Sequence, residues 1–271
     1  MTILITGATG LVGSRLIPRL VDAGYDCRAL VRPGRPLSQG VPSVVGDLLD
    51  PTNLPKAVEG VSDVIHLAAV LRTPDPEQIR QVNVDGTHNL ITAVQNHAPE
   101  ARVIMASTNL VYNERLSRPA CEDDLTDSTR PYPASKIIAE QELRRSGLTW
   151  SVLRFAFVYG DSDGHLQSAP GLLGSWGWHP AATLSLIHHR DIATAMQLAL
   201  TGALDRRIVN LTDDAPTSVY EIARIVDADY PSSAQPLENP WNGHVDGTLA
   251  RSLGFTPAVR SVYQAADEGL L

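Results

Sequence analysis

Lysine is almost missing from this chain. Only Lys56 and Lys136 stand among 22 basic residues, and the rest are arginines. Thirty acidic residues outweigh them, giving a net charge of −8, so the basic footprint that nucleic acid demands is absent. Cysteine is equally scarce. Cys27 and Cys121 are too few and too distant for a disulfide framework, and neither has neighbours resembling a metal site. No run of 18 apolar residues occurs, which leaves no candidate membrane span. The first residues read as a strand rather than as a signal-peptide apolar region with a cleavage site. These absences lead to the expectation of a cytoplasmic protein with no metal, no nucleic-acid partner and no membrane partner. What remains is a chain of 271 residues, 43% apolar, long enough for one large α/β domain with a small appended lobe.

The front of the chain carries the first positive signal. Ile3, Leu4 and Ile5 form a short apolar run suited to a strand buried on both faces. Gly7, Gly10 and Gly13 follow at a spacing of three. The stretch from Leu11 to Ala23 then shows helical apolar spacing, closed by Gly24. A strand, a glycine turn and a helix in this order make an anion site, where free N–H groups and the positive helix end meet a pyrophosphate. Gly7, Thr9, Gly10, Leu11, Val12 and Gly13 are therefore candidate cofactor-binding residues; the competing reading is a tight turn with no ligand. A second strand, Cys27 to Arg32, ends on Arg32 with Arg35 close behind. An acidic residue at that strand end would bind the ribose 2′-hydroxyl of NAD, whereas arginine matches a 2′-phosphate. NADP(H) is thus favoured over NAD(H), against the alternative of a solvated surface arginine.

Strands are expected at 2–6, 27–31, 43–46, 63–67, 102–107 and 150–156, alternating with helices at 11–23, 52–59, 76–97 and 132–146. This order predicts an α/β fold: a Rossmann-type doubly wound parallel sheet with a small C-terminal substrate lobe. The dinucleotide-binding domain spans 1–160, with return elements at about 186–210. The lobe comprises 161–185 and 211–271. No period is visible in 160–185.

Tyr132 and Lys136 stand four residues apart, on one face of a predicted helix. An ammonium beside a phenol favours the phenolate, so Lys136 is expected to pull the Tyr132 pKa down toward working pH. An exposed helical pair with no role is the competing reading.

The motifs, taken together, resemble the extended short-chain dehydrogenase/reductases of the NAD(P)-dependent epimerase/dehydratase group. The resemblance rests on Thr6-Gly7-Ala8-Thr9-Gly10-Leu11-Val12-Gly13, Gly46-Asp47-Leu48, His66-Leu67-Ala68-Ala69 and Asn83-Val84-Asp85-Gly86-Thr87. It extends through Ser107-Thr108-Asn109-Leu110-Val111-Tyr112, the Tyr132/Lys136 pair, Leu153-Arg154, Val158-Tyr159-Gly160 and Arg190-Asp191-Ile192-Ala193. The segment Ala29-Leu30-Val31-Arg32 resembles the NADP-using dihydroflavonol-reductase-like members. The resemblance implies that Asp47 accepts from the adenine amine with Leu48 against the ring. It places Ala68 and Ala69 beside the pyrophosphate, and Asn83 and Ser107 among the cofactor contacts. It makes Thr108 the residue that hydrogen-bonds the substrate oxygen, Tyr132 the proton donor or acceptor, and Lys136 the ligand of the nicotinamide ribose. Asp47 as a plain turn carboxylate and Thr108 as a strand-end hydroxyl remain open alternatives. His66 reads as packed core.

Departures from the family pattern narrow the substrate. Phe157 stands where sugar-nucleotide enzymes carry an asparagine for the diphosphate, and an aromatic ring cannot hydrogen-bond phosphate. Asn109-Leu110 replaces the Asp-Glu pair that follows the catalytic threonine of dehydratases. Asn109, Phe157, Trp176, Trp178 and His188 are candidate substrate residues, with His189 and Trp241 nearby. The tryptophans could equally be lobe core. The expected function is hydride transfer to or from a small non-nucleotide carbonyl or alcohol. A sugar or sugar-nucleotide epimerase/dehydrogenase is the alternative enzyme, and a non-catalytic dinucleotide sensor the alternative of another class. A homodimer through helices 76–97 and 132–146 is a further expectation.

Overall fold

Ile3, Leu4 and Ile5 are shut away from solvent, as their uninterrupted apolar run requires. They form β1 (Thr2–Thr6) of a computed structural model that describes residues 1–35 and 40–271. From β1 the chain turns through the glycines into α1 (Gly13–Asp22), then β2 (Asp26–Val31) and β3 (Ser43–Val45). A single 3₁₀ turn, Pro51–Asn53, opens α2 (Leu54–Val58), with the Asp50 carboxylate accepting from the Thr52 N–H. The sequence continues with β4 (Val61–His66), α3 (Pro76–Arg80), α4 (Gly86–His97), β5 (Arg102–Thr108), α5 (Pro131–Arg145), β6 (Thr149–Phe155) and β7 (Phe157–Tyr159). Beyond it lie α6 (His165–Ser175), β8 (Thr183–Leu184), β9 (Leu186–His188), α7 (His189–Leu200), β10 (Arg207–Leu211) and β11 (Thr217–Ser218). Three short helices close the chain: α8 (Val219–Ile225), α9 (Thr248–Ser252) and α10 (Val262–Asp267).

Seven strands make one parallel sheet in the order β10-β6-β5-β4-β1-β2-β3. This is the Rossmann-type arrangement the alternation predicts, and its flanking helices follow from the strand pattern. Ile3 and Ile5 face a core shared with Leu16, Ile17 and Leu20 of α1 and Ile192 and Met196 of α7. Leu4 faces the opposite core, with Leu54 of α2, Leu90 and Val94 of α4, and Ala139 and Leu143 of α5. Alternate side chains of one strand thus feed both helical layers. A third, smaller core lies at the C-terminal side. Tyr159, Leu166, Leu173, Val219, Ile222 and Val262 build it. The pairs β7–β9 and β8–β11 form two small additional sheets.

Two elements differ from the sequence expectation. Residues 76–97 are helical throughout but change pitch: Gln81–Asp85 is a π segment between α3 and α4. The wider turn presents the buried Asn83 inward. Residues 160–185, in which no period is legible, contain the eleven-residue α6. Pro170, Gly171 and Gly174 inside it obscure the helical pattern, since proline and glycine are the weakest helix formers.

The segment that follows β7 is fastened to α1. The Arg15 guanidinium donates to the Asp161 carbonyl at 3.2 and 3.3 Å, and Arg19 pairs with the Asp161 carboxylate at 2.8 Å. Asp161 and Ser162 hold positive φ angles of 53° and 55°. The segment is pinned there by two backbone bonds, from Asp161 N–H to the Leu270 carbonyl and from Ser162 N–H to that of Leu271.

Candidate active site

Parallel strands end on a common edge, and the predicted residues collect there. Gly7 follows β1, Arg32 follows β2, Asp47 follows β3, Ala68 and Ala69 follow β4, and Thr108 ends β5. Two of the three glycines are required by the protein itself. A Cβ on Gly7, whose φ is +70°, would lie 2.6 Å from the Ala68 nitrogen. One on Gly13 would lie 2.3 Å from the Gly7 carbonyl oxygen. Gly10 is different: its nearest neighbour would be 3.2 Å away, and the residue is exposed. Its bareness leaves room outside the protein rather than inside it, as a backbone that receives a phosphate requires. Thr9 and Leu11 are exposed beside it and Val12 is half-buried; at the start of α1 the Ser14 N–H donates to the Gly10 carbonyl and those of Arg15 and Leu16 to the Val12 carbonyl.

Arg32 and Arg35 are exposed at the end of β2, and among the described residues neither guanidinium has an acceptor. Asp47 forms a turn, accepting from Leu49 N–H at 2.9 Å through one oxygen. Leu48 is buried beneath α4, its Cβ 3.0 Å from where a side chain on Gly86 would begin. Asn83 behaves otherwise than expected of a cofactor contact. Its amide is fully engaged: it accepts from Val70 N–H at 2.7 Å and donates to the Val70 carbonyl and to Ser135 Oγ. It ties the loop after β4 to α5. His66 is core, as expected, hydrogen-bonded to Thr6 and Thr87. Burial, aided by Lys136, holds its pKa down at about 3, so it stays neutral.

Thr108 caps the 3₁₀ turn Asn109–Val111, accepting from Leu110 N–H at 3.2 Å. α5, which carries Tyr132 and Lys136, packs against β5 and that turn. The electrostatics correct the expectation for Tyr132. Burial pushes the phenol up to about 12, and no effect of Lys136 offsets it. Lys136, almost wholly buried, is held down at about 8 by burial, with the Glu140 carboxylate opposing the fall. Desolvation outweighs the ammonium-phenol attraction that the sequence suggests.

Ser107 is also redirected. Its hydroxyl donates to Glu140 Oε1 at 2.5 Å, inside a buried chain the sequence reading missed. Glu140 is forked by Arg154 at 2.6 and 3.1 Å, Arg154 donates to the Tyr112 oxygen at 2.8 Å, and Tyr112 donates to Asn210 at 2.6 Å.

On the lobe side the expectations divide. Asn109, Arg130, Trp178, Trp241 and His244 line one cavity next to Thr108 and Tyr132 in sequence. Trp178 serves two roles, since it also packs against the lobe core. Trp176 is half-exposed and lies outside that cavity. Phe157 stacks on His165 with ring centroids 4.3 Å apart. His165 donates to the Val158 carbonyl and accepts from Arg72 of the loop after β4. His188 is not among the residues that line that cavity. It is fully buried, donates to the Leu270 carbonyl at 3.0 Å, and accepts from Arg190 N–H at 3.0 Å as the cap of α7. His189 is likewise buried, on Asp163 at 2.8 Å. Among the described residues no cluster of His, Cys, Asp or Glu could hold a metal ion, and no helix is long and apolar enough to cross a membrane.

Residues 3–176 match the model of the NAD dependent epimerase/dehydratase family. The chain belongs to that family. It is 29% identical to the decarboxylating sterol-4-alpha-carboxylate 3-dehydrogenase of Dictyostelium discoideum, over 78% of this chain and 71% of the relative. It is 28% identical to the 3-beta-hydroxysteroid dehydrogenase of Mycolicibacterium neoaurum, over 83% and 69%. A short-chain dehydrogenase/reductase superfamily protein from Agrobacterium tumefaciens, solved with bound NAD, shares the fold. Its TM-score is 0.83 at 24% identity, covering 99% of this chain and 95% of the other. The family member described here is thus an enzyme of the NAD(P)-dependent oxidoreductase and epimerase type, and the open edge at Gly10 fits a dinucleotide.

Glycine substitutions separate the packing from the binding role. Gly13→Ala meets backbone that cannot withdraw and is expected to lower unfolding free energy by about 1–3 kcal/mol, read by denaturant titration. Gly10→Ala, whose Cβ would need only a small withdrawal of the Gly7 carbonyl, is expected to cost clearly less than Gly13→Ala while weakening dinucleotide binding. Equal destabilisation by the two would place Gly10 in the packing instead.

Proposed function

We propose that this family member is an NADP(H)-dependent oxidoreductase acting on a small non-nucleotide carbonyl or alcohol. The observation that supports the reading is the packing of α5, which carries Tyr132 and Lys136, against β5, which ends on Thr108, with Gly10 and the exposed Arg32 and Arg35 following β1 and β2 at the same sheet edge. The nicotinamide, when bound, supplies or takes the hydride. Thr108 Oγ1 and the Tyr132 phenol then donate to the carbonyl oxygen as negative charge develops on it, and Tyr132 delivers its proton there. Lys136 holds the ribose side and contributes positive charge. Ala68 and Ala69 give a small-side-chain path along the pyrophosphate, and Asp47 has a carboxylate oxygen to spare for the adenine amine.

The substrate side favours an apolar compound. Trp178 and Trp241 provide flat walls, while Asn109 and His244 supply a few polar contacts. Phe157, stacked on His165, puts carbon where a diphosphate would need a donor. Steroid and sterol dehydrogenases, named for compounds of largely apolar character, stand among the relatives beside a UDP-glucose 4-epimerase, so the preference for an apolar substrate rests on the residues of the cavity. A panel of carbonyl compounds and alcohols, followed by absorbance of the reduced cofactor and run beside UDP-sugar binding, tests it. UDP-sugar binding without turnover of the panel would reverse the assignment.

Arg32→Ala is expected to weaken NADPH binding by roughly 1.5–3 kcal/mol, the scale of a charged hydrogen bond, with little change for NADH. Wild-type affinity equal for both cofactors would remove the arginine from this role. Tyr132→Phe is expected to lower turnover by about 10²–10⁴; near-normal rates would release Tyr132 from proton transfer. The raised phenol pKa gives pH a direction. Tyr132 carries its proton throughout the neutral range, so it is ready to donate in reduction. Oxidation needs the phenolate, whose fraction grows as pH rises toward about 12. Alcohol oxidation should therefore accelerate from pH 6 to 9 while carbonyl reduction does not. An oxidation rate flat across that range would exclude Tyr132 as the base.

A further inference from the structure

Tyr132, Lys136 and Glu140 follow one another at four-residue intervals along α5, so one helix face carries a phenol, an ammonium and a carboxylate in sequence. The carboxylate is the least expected of the three. Glu140 is 3% exposed, in the apolar layer between α5 and the sheet. A charge in such a place needs a complete set of partners. Glu140 has them: Arg154 Nη2 at 2.6 Å and Nε at 3.1 Å, and Ser107 Oγ at 2.5 Å. Both partners lie on strands, and they are opposite each other, since Ser107 of β5 pairs with Arg154 of β6. Thr108 is the next residue along β5. The carboxylate thus clamps the helix that bears Tyr132 and Lys136 to the strand that bears Thr108.

We propose that Glu140 is a positioning residue of the active site, fixing α5 against the end of β5 through Ser107 and Arg154 and supplying the negative charge that keeps Lys136 an ammonium. The surroundings of Lys136 support the second part. His66 of β4 is neutral, Tyr132 keeps its proton, and of the Glu140–Arg154 pair it is the carboxylate, one turn along α5, that bears on the amine. Glu140 is the one charge that opposes the burial of the amine. The inference rests on the role proposed for Lys136, but its decisive measurement does not require a substrate.

The scarcity of lysine makes that measurement direct. With ¹³C-lysine labelling, Lys136 and the exposed Lys56 are the only side chains to titrate by NMR. Lys136 of the wild type is expected to titrate near pH 8. In Glu140→Gln its midpoint should fall by about one pH unit or more, with Lys56 unmoved. Because Glu140→Gln strands the buried Arg154 and can fail to fold, the double variant Glu140→Gln, Arg154→Gln removes both charges together. In that variant, if its melting is cooperative, the midpoint should fall as well. A Lys136 midpoint unchanged in either folded variant overturns the proposal. On any carbonyl compound the wild type reduces, the same variants should lose about tenfold or more in kcat, with the loss setting in at lower pH. Wild-type kcat and pH profile would also overturn it. Failure of the wild type to turn over any compound would count against the proposed activity while leaving the Lys136 titration to decide the role of Glu140.

Discussion

The direction of the strands governs this molecule. Because all seven strands of the main sheet run parallel, each returns its carboxyl end to the same edge, and every connecting loop at that edge faces the same space. Residues dispersed from Gly7 to Thr108 become neighbours without any local design to bring them together. The same arrangement buries the strands on both faces, so Ile3 and Ile5 serve one helical layer while Leu4 serves the other. Rigid support of the edge follows from this double burial. Loops carry the chemistry, and two packed cores hold the loops.

On that support the site is tuned mainly by desolvation. The half-buried Tyr132 and the buried Lys136 are both displaced toward their neutral forms, one upward and one downward, by desolvation. Enclosure has the same effect on His66. Against this background a fully partnered charge is influential, and the Glu140–Arg154 fork is the most enclosed ion pair on the α5 side of the sheet. It also reaches beyond the site: Arg154 continues through Tyr112 to Asn210, whose amide holds the carbonyls of Ala120 and Asp246. The segments around Ala120 and Asp246 are anchored by that chain to β6 and the edge strand β10.

Much of this was legible in the residues. A strand followed by three spaced glycines and a helix announces its geometry locally, and the family motifs fix the order of the remaining strands. Tyr132 and Lys136 are legible because a helix converts a spacing of four into a shared face. Other features arise only when distant segments meet. Ser107, Glu140 and Arg154 belong to three different elements, and nothing in the sequence around each distinguishes a clamp from a surface pair. Asn83 looked like a cofactor residue because its motif is shared; the π segment turns its amide to Val70 and Ser135 instead. His188 is polar and lies after a strand, which suggests a cleft, yet the Leu270 carbonyl and the start of α7 occupy both its nitrogens. Pro170 and two glycines hid α6. The sign of the Tyr132 shift depends on how much water the fold excludes, a quantity no spacing encodes.

The bridge from α1 to Asp161 has a mechanical meaning. One end of α1 forms the glycine turn, and its flank holds the segment after β7 through Arg15 and Arg19. A helix of ten residues is a stiff lever. The glycine turn before it and the Asp161 segment on its flank therefore share one rigid support, and neither can be displaced without the helix between them.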